Sequence, residues 1–193
     1  FGGEGSDEAN SIQQTTDGGY IVAGWTESFG FGGQDVYILK LNSNGELEWQ
    51  KTFGGKYDDG AESLQHTADG GYIIAGWTKS FGSGLENVYI LKLNSKGQLE
   101  WQKTFGRGDS DEANSIQQTT DGGYIVAGWT KSSDSGEGDV YILKLNSKGE
   151  VQWQKTFGGK YDDDVANLIQ QTADGGYIVA GWTKSFGSGW KDV

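Results

Sequence analysis

Asp17-Gly-Gly-Tyr-Ile-Val-Ala-Gly-Trp25 returns almost unchanged at Asp69–Trp77, Asp121–Trp129 and Asp174–Trp182. Each copy opens on turn residues, runs through a short apolar, β-branched stretch and closes on Gly-Trp. Around it, Phe-Gly pairs begin at Phe1, Phe53, Phe105 and Phe157, 52 residues apart each time. A fixed period of that length marks an array of like supersecondary units. The repeats run 1–52, 53–104, 105–156 and, in part, 157–193, as a single repeat domain. The Asp-Gly-Gly turns fall at 17, 69, 121 and 174, so the last repeat carries one extra residue near Asp162-Asp163-Asp164.

Working outward from the motif divides each repeat into four short segments. In the first, Ala9-Asn-Ser-Ile-Gln-Gln-Thr15 is small and polar with one aliphatic residue. Tyr20–Thr26 and Asp35–Asn42 read as apolar on both faces. Leu47–Phe53 alternates, with Leu47, Trp49, Lys51 and Phe53 on one side and Glu48, Gln50 and Thr52 on the other. Segments this short, rich in β-branched and aromatic residues and separated by Gly turns, predict four antiparallel strands. Strands two and three, apolar on both faces, belong inside a stack of sheets; strand four, with one polar face, belongs at the outside. Strand one, small and polar, suits the crowded centre of a radial array. The expected fold is therefore all-β: a β-propeller-type array of four-stranded antiparallel blades, four of them visible and the last incomplete.

Charge and composition narrow the function classes. Net charge is −12, from 27 acidic against 15 basic residues, which repels phosphate backbones and argues against a nucleic-acid partner. No apolar run is long enough to insert into a membrane as a helix. With no cysteine, the composition carries no signal about redox compartment. The chain opens on Phe1, contains no methionine and stops at Asp192-Val193, where a third strand should start. Three expectations stand side by side: a window on a longer repetitive chain, a piece whose open edge pairs with another copy, and a four-bladed ring with one thin blade.

The pattern Trp-x-Lys-Thr-Phe-Gly-Gly, followed by an acidic loop, Ser-Ile-x-Gln-Thr and Asp-Gly-Gly-Tyr-Ile-Val-Ala-Gly-x-Thr, is carried by Trp49 to Thr78, Trp101 to Thr130 and Trp153 to Thr183. It resembles kelch and PQQ-type propeller blades, and more closely a propeller repeat family of secreted and surface proteins of archaea and bacteria. The resemblance covers nearly the whole chain. It implies a propeller fold and an extracellular or cell-surface location, and no single activity, because propellers host many functions.

Candidate sites lie where aromatic or acidic residues repeat. Trp25, Trp77, Trp129 and Trp182 close strand two, and Phe29, Phe81 and Phe186 follow in the next loop. They read either as core between blades or as stacking platforms for a glycan. Trp49, Trp101 and Trp153 read as core. In the third repeat Ser133 and Asp134 replace the loop Phe-Gly, so a site built on that loop is not repeated in every blade. The acidic loops around Asp7-Glu8, Asp58-Asp59 with Glu62, Asp109-Ser-Asp111-Glu112 and Asp162-Asp163-Asp164 read either as strand-capping Asx turns or as calcium ligands, with Asp109/Asp111 and Asp162/Asp163 the best placed for the ion. No other cofactor is called for. His66 stands where sister repeats carry Gln14 and Gln118, and reads as a polar strand residue. Arg107-Gly-Asp109 reads as chance in a Gly- and Asp-rich repeat.

Enzyme chemistry needs unlike groups converging in one place, whereas near-identical repeats supply like groups around a ring. No Ser–His–Asp set, phosphate loop, cysteine nucleophile or metal-ligand spacing is present. The expectation is a non-enzymatic structural or interaction module, with protein partners or self-association, or a lectin-like propeller, or one domain of a larger secreted protein.

Overall fold

The computed structural model describes residues 1–106, 109–131, 138–159, 163–187 and 191–193. Fourteen strands form among these residues. The first blade is β1 (Asp7–Gln14), β2 (Tyr20–Thr26), β3 (Asp35–Leu41) and β4 (Leu47–Phe53). The second is β5 (Asp59–His66), β6 (Tyr72–Thr78), β7 (Asn87–Leu93) and β8 (Leu99–Phe105). The third is β9 (Ser110–Gln118), β10 (Tyr124–Lys131), β11 (Gly138–Leu145) and β12 (Val151–Phe157), and the fourth is the pair β13 (Asp164–Gln171) and β14 (Tyr177–Thr183). Each sheet is an antiparallel meander in sequence order. The expected array of four-stranded blades, the last incomplete, is what the chain forms.

Successive blades pack face to face. Ile21, Ala23, Val36 and Ile38 of blade one meet Ala61, Leu64, Tyr72, Ile74, Tyr89 and Leu91 of blade two. The same residue types recur at the next two joints. Full burial of one such aliphatic side chain stabilises by about 1.5–3 kcal/mol, so each joint is held mainly by this layer. Trp49, Trp101 and Trp153 reach from strand four onto Tyr72, Tyr124 and Tyr177 of the following blade, edge to face at 6.0, 5.9 and 5.8 Å. Their reading as core is correct.

Strand one is polar for a more specific reason than crowding. β1, β5, β9 and β13 are the innermost strands, and the inner edge of each has no strand beside it. Side chains of the neighbouring blade supply the missing partners. Ser11 Oγ accepts from Leu64 N (3.1 Å), Ser63 Oγ from Ile116 N (3.2 Å) and Ser115 Oγ from Ile169 N (3.2 Å). Gln13 Oε1 accepts from His66 N (2.6 Å), Gln65 Oε1 from Gln118 N (2.5 Å) and Gln117 Oε1 from Gln171 N (2.6 Å). Asn10 and Asn114 donate the other way round the joint, to the carbonyls of Ala61 (3.0 Å) and Ala166 (2.9 Å). The second Gln of the Gln-Gln pair reaches back: Gln118 accepts from Ala68 N and Gln171 from Thr120 N. His66 occupies that second position in blade two and instead sets its ring against Tyr72, centroids 5.7 Å apart.

Two details depart from the simple strand pattern. A bulge at the start of strand four, where Lys40 opposes Trp49 and Leu41 opposes Leu47, breaks the clean alternation. Strand three is not wholly apolar: Lys40, Lys92 and Lys144 are buried among aliphatic neighbours. Lys40 Nζ meets Asp17 Oδ2 and Glu48 Oε2, both at 2.9 Å, and donates to the Leu41 carbonyl at 3.0 Å. Lys92 repeats the arrangement with Asp69 and Glu100, and Lys144 with Asp121. Hydrogen bonds from Thr119, Lys144 and the Gly123 amide hold Asp121 down to about 2.

That ion cluster explains the Asp-Gly-Gly motif. Asp17 accepts from the Thr15 hydroxyl and the Gly19 amide and ties the turn to strand three. Gly18 takes a positive φ of 81°. A Cβ on Gly19 would overlap the Leu41 carbonyl and lie 2.6 Å from Lys40 Nζ. A Cβ on Gly24 would overlap the Glu8 carbonyl at the bulge of strand one.

Replacing Ser63 by Ala leaves the Ile116 amide without its acceptor at the inner edge. The expected loss is about 1–3 kcal/mol of unfolding free energy. Urea unfolding followed by tryptophan fluorescence measures it, and an unchanged midpoint would contradict the capping role.

Candidate interaction site

The turns at one end of the blades hold the lysine clusters and are nearly invariant. The opposite end, where strand two stops and strand one starts, carries the loops in which the repeats differ. Every described site residue selected from the sequence lies at that variable end.

An aspartate fastens each loop there. Asp59, fully buried at the start of β5, accepts from the Thr78 hydroxyl, from Ser80 Oγ (2.7 Å) and from the Gly55 amide (2.8 Å). Asp7 does the same with Thr26, Ser28 and Gly3, and Asp164 with Thr183 and Gly159. Asp111, one of the calcium candidates, is the equivalent residue of blade three: fully buried, with the Thr130 hydroxyl bonded to it. Asp109 lies just before β9, and its carbonyl accepts from the Leu85 amide at 2.8 Å. Asp163 accepts from the Gly138 amide (3.1 Å) and pairs with Lys184 (2.9 Å). Asp162 lies outside the described residues, as do Arg107, Ser133 and Asp134. Among the described residues, no group of three or more His, Cys, Asp or Glu side chains is arranged to hold a metal ion. Asp111 and Asp163 thus each fasten a distant loop segment through these bonds, rather than closing local Asx turns.

Trp25, Trp77, Trp129 and Trp182 are half-buried. Trp77 lies over Gly60, where a Cβ would meet its ring at 2.8 Å, and its Nε1 donates to Glu62 Oε1 at 3.3 Å. Lys79 sits 5.4 Å from its ring centroid. Trp182 has Lys191 at 4.0 Å and Lys184 at 5.4 Å. Trp129 and Trp182 line one cavity of about 370 Å³ with Gly138, Asp163 and Val165. Phe29 and Phe81 fold back onto Tyr37 and Tyr89 of their own blades, ring centroids 5.6 Å apart, and Phe186 is largely exposed. The structure therefore brings Trp129, Trp182 and Asp163 together and keeps the loop phenylalanines apart from them.

In the sequence Glu62 and Glu112 read only as members of the acidic loops; the structure sets each beside a tryptophan. Glu62 replaces the bulge asparagine seen as Asn10 and Asn114; it accepts from Asn10 Nδ2 at 3.1 Å as well as from Trp77. Burial, then the charge of Glu8, raise its carboxyl above the usual range despite the Trp77 bond. Glu112 is pushed up to about 7, first by burial and then by the charges of Glu62 and Glu86, with the Trp129 indole bond opposing. The Asn-to-Glu exchange at position 62 was the available signal. Nearer the axis, Gln13, Gln65, Gln117 and Gln170 border a cleft of about 430 Å³ with Leu168 and Ile178.

A family model described as a beta-propeller domain of unknown function (DUF5122) matches residues 15–48 and 119–151. Both windows run from the Asp-Gly-Gly turn through strand three to the start of strand four, the part of the repeat that builds the buried lysine cluster. Among curated proteins, the chain is 24% identical over 175 residues to the regulatory protein FlaEY of Caulobacter vibrioides, a match covering 78% of this chain and 18% of that protein. The chain thus spans less than a fifth of the length of that relative.

The raised Glu112 carboxyl carries a sign that can be checked. A carboxyl whose folded value lies above its unfolded one favours folding while protonated. Its contribution is complete below about pH 4.3 and is lost as pH rises through about 7. Glu112→Gln is expected to reduce the loss of stability between pH 5 and pH 8. Urea midpoints of the two proteins at both pH values measure this, and parallel shifts would count against it.

Proposed function

We propose that this chain is a non-catalytic interaction module that works outside the cell and associates through open blade faces. One observation carries the association: blade one leaves Ile12 in solvent where the later blades bury its counterparts. Ile12 is 65% exposed, whereas its counterparts Leu64, Ile116 and Ile169 are 5–7% exposed. Beside it, Val22, Tyr37, Leu39 and Leu41 pack with Tyr20 into a cluster that is itself only 5–9% exposed in its four buried members. On blade four the opposite face is open, with Leu168 at 65% and Ile178 at 61%. Ile178 is the counterpart of Ile21, Ile73 and Ile125, each fully buried at an internal joint. Leu168 stands where Ser11, Ser63 and Ser115 reach the next blade, so blade four offers an apolar contact in place of a capping hydroxyl. The two faces complement each other as the internal ones do, which favours head-to-tail contact between copies.

The non-catalytic reading rests on repetition, which sets like groups at like positions. The name of the Caulobacter relative describes that protein as regulatory, which accords with a binding role. No helix among the described residues is long and apolar enough to cross a membrane. The extracellular setting rests on the likeness to blades of secreted and surface proteins. A glycan partner has less support, because Phe29 and Phe81 are engaged by Tyr37 and Tyr89, and Trp77 by Glu62.

Sedimentation velocity over a wide concentration range is expected to show reversible association, and Ile12→Asp to abolish it while leaving the far-ultraviolet spectrum unchanged. A strict monomer at the highest concentration would overturn the assembly. For location, a membrane-impermeant amine reagent applied to intact source cells is expected to label the protein; label appearing only after lysis would refute an outer location.

A further inference from the structure

Two buried acids meet at the joint between the first two blades. Asp35 opens β3 and Asp59 opens β5; they are 2% and 0% exposed. Both point into the hole left by the missing side chain of Gly54, where a Cβ would overlap Asp35 Oδ1 and lie 2.7 Å from Asp59 Oδ2. The donors around them are unevenly shared. Asp59 takes the Thr78 and Ser80 hydroxyls and the Gly55 amide, whereas Asp35 Oδ2 takes the Phe31 amide at 2.8 Å. Among the described residues, neither acid forms an ion pair. The remaining ionisable neighbours bring no compensating charge into the hole. Tyr89, whose phenol is raised by burial and by the charges of Asp59 and Asp35, donates to Gln102 at 2.9 Å. At the rim, Lys79 is engaged by Asp58 and Glu86 at 3.3 and 3.4 Å, and Glu27 by Gln34 at 3.3 Å.

The second joint is a natural comparison. There Asn87 stands in place of Asp35, facing Asp111 across Gly106, with Asn87 Oδ1 and Asp111 Oδ2 at 2.5 and 2.6 Å from the position of a Cβ. The chain thus uses a carboxyl at one joint and its neutral amide counterpart at the next, in otherwise matching surroundings. Two like charges in so small a buried hole oppose each other; a carboxyl and a carboxylate do not.

We propose that the joint between the first two blades is a proton-operated clasp, in which Asp35 keeps a proton on Oδ1 and donates it to Asp59 Oδ2 across the hole at Gly54. In acid the bond bridges blade one to blade two. When the proton leaves to solvent, two carboxylates face each other and the joint loosens. Burial lifts the Asp35 carboxyl above its ordinary value, the Phe31 amide pulls it partly back, and the charge of Asp59 lifts it again. An acid raised in the folded state stabilises fully below its unfolded value, and that stability is lost as pH rises through the folded one.

The backbone supplies a local reporter. The Asp59 amide donates to the Gln34 carbonyl across the same joint at 2.7 Å, and the Asp111 amide donates to the Glu86 carbonyl across the next at 3.1 Å. Amide hydrogen exchange resolved by residue, expressed as protection factors over pH 4–8, reads each joint separately. Protection at Asp59 is expected to fall with rising pH, by about tenfold for each unit by which Asp35 is raised. In a Glu112→Gln background, which removes the raised carboxyl beside it, protection at Asp111 stays level. In Asp35→Asn, protection at Asp59 becomes level too and exceeds the parent protein's at pH 8. Asn87→Asp transfers the pH dependence to Asp111, which keeps the test open if the first variant folds poorly. Equal pH dependence at both amides in the Glu112→Gln background, or an unchanged Asp59 profile in Asp35→Asn, overturns the clasp.

Discussion

The constraint on which this architecture depends is the bare inner edge of strand one. A meander sheet has two edges, and in a radial array one edge of every blade points to the axis, where no further strand fits. Backbone N–H and C=O groups left there without partners would each cost about as much as a lost hydrogen bond and would invite foreign strands. This chain fills the edge with side chains. Asn, Ser and Gln of one blade reach the amides and carbonyls of the next, at Leu64 and His66, at Ile116 and Gln118, and at Ile169 and Gln171. The bonds that satisfy the edge also set the register between blades. The aliphatic layer supplies most of the free energy, but it is non-directional and would tolerate sliding; the Ser and Gln bonds would not.

Two further polar layers clamp the ends of each blade. At the turn end, a lysine buried in strand three gathers the turn aspartate and, in the first two blades, a glutamate from the bulge of strand four. Removing one partner from such a buried set is more damaging than never having built it, because it strands a charge. At the loop end, an aspartate at the start of strand one gathers a threonine and loop donors. One end therefore fixes the hairpins within a blade. The other fixes the connection between blades and leaves the loop tips free to vary.

The repeat period, the strand count, the double-sided burial of strands two and three and the core role of Trp49, Trp101 and Trp153 were legible in the sequence because each depends on local periodicity. What stayed hidden depends on partners about 50 residues away. Ser11 and Gln13 read as small polar residues until Leu64 and His66 are beside them. Lys40 broke an apolar strand in plain sight, yet its meaning needs Asp17 and Glu48 brought together by a turn and a bulge. Asp111 and Asp163 read in the sequence as either loop fastenings or ion ligands, because the two share one composition. The hydrogen bonds from Thr130 and Gly138 show the fastening, which needs partners 19 and 25 residues away.

Repetition also changes how a single substitution should be weighed. Where all repeats agree, as at the Asp-Gly-Gly turn, the residue answers a demand that every blade makes. Where they disagree, the surroundings stay almost constant and the exchange isolates one physical variable. Asp35 against Asn87 varies charge at fixed shape. Asn10 against Glu62 converts a donor that bridges blades into an acid beside a tryptophan. Ser115 against Leu168 replaces an edge cap with an exposed apolar side chain. All three exchanges fall at joints between blades or on blade faces, and none falls in the turn that opens each motif. Variation at the joints alters how blades meet, while the strands of the blades themselves stay the same. The Asp-Gly-Gly unit is accordingly the scaffold, and the few joint positions where its copies stop matching set how each pair of blades meets.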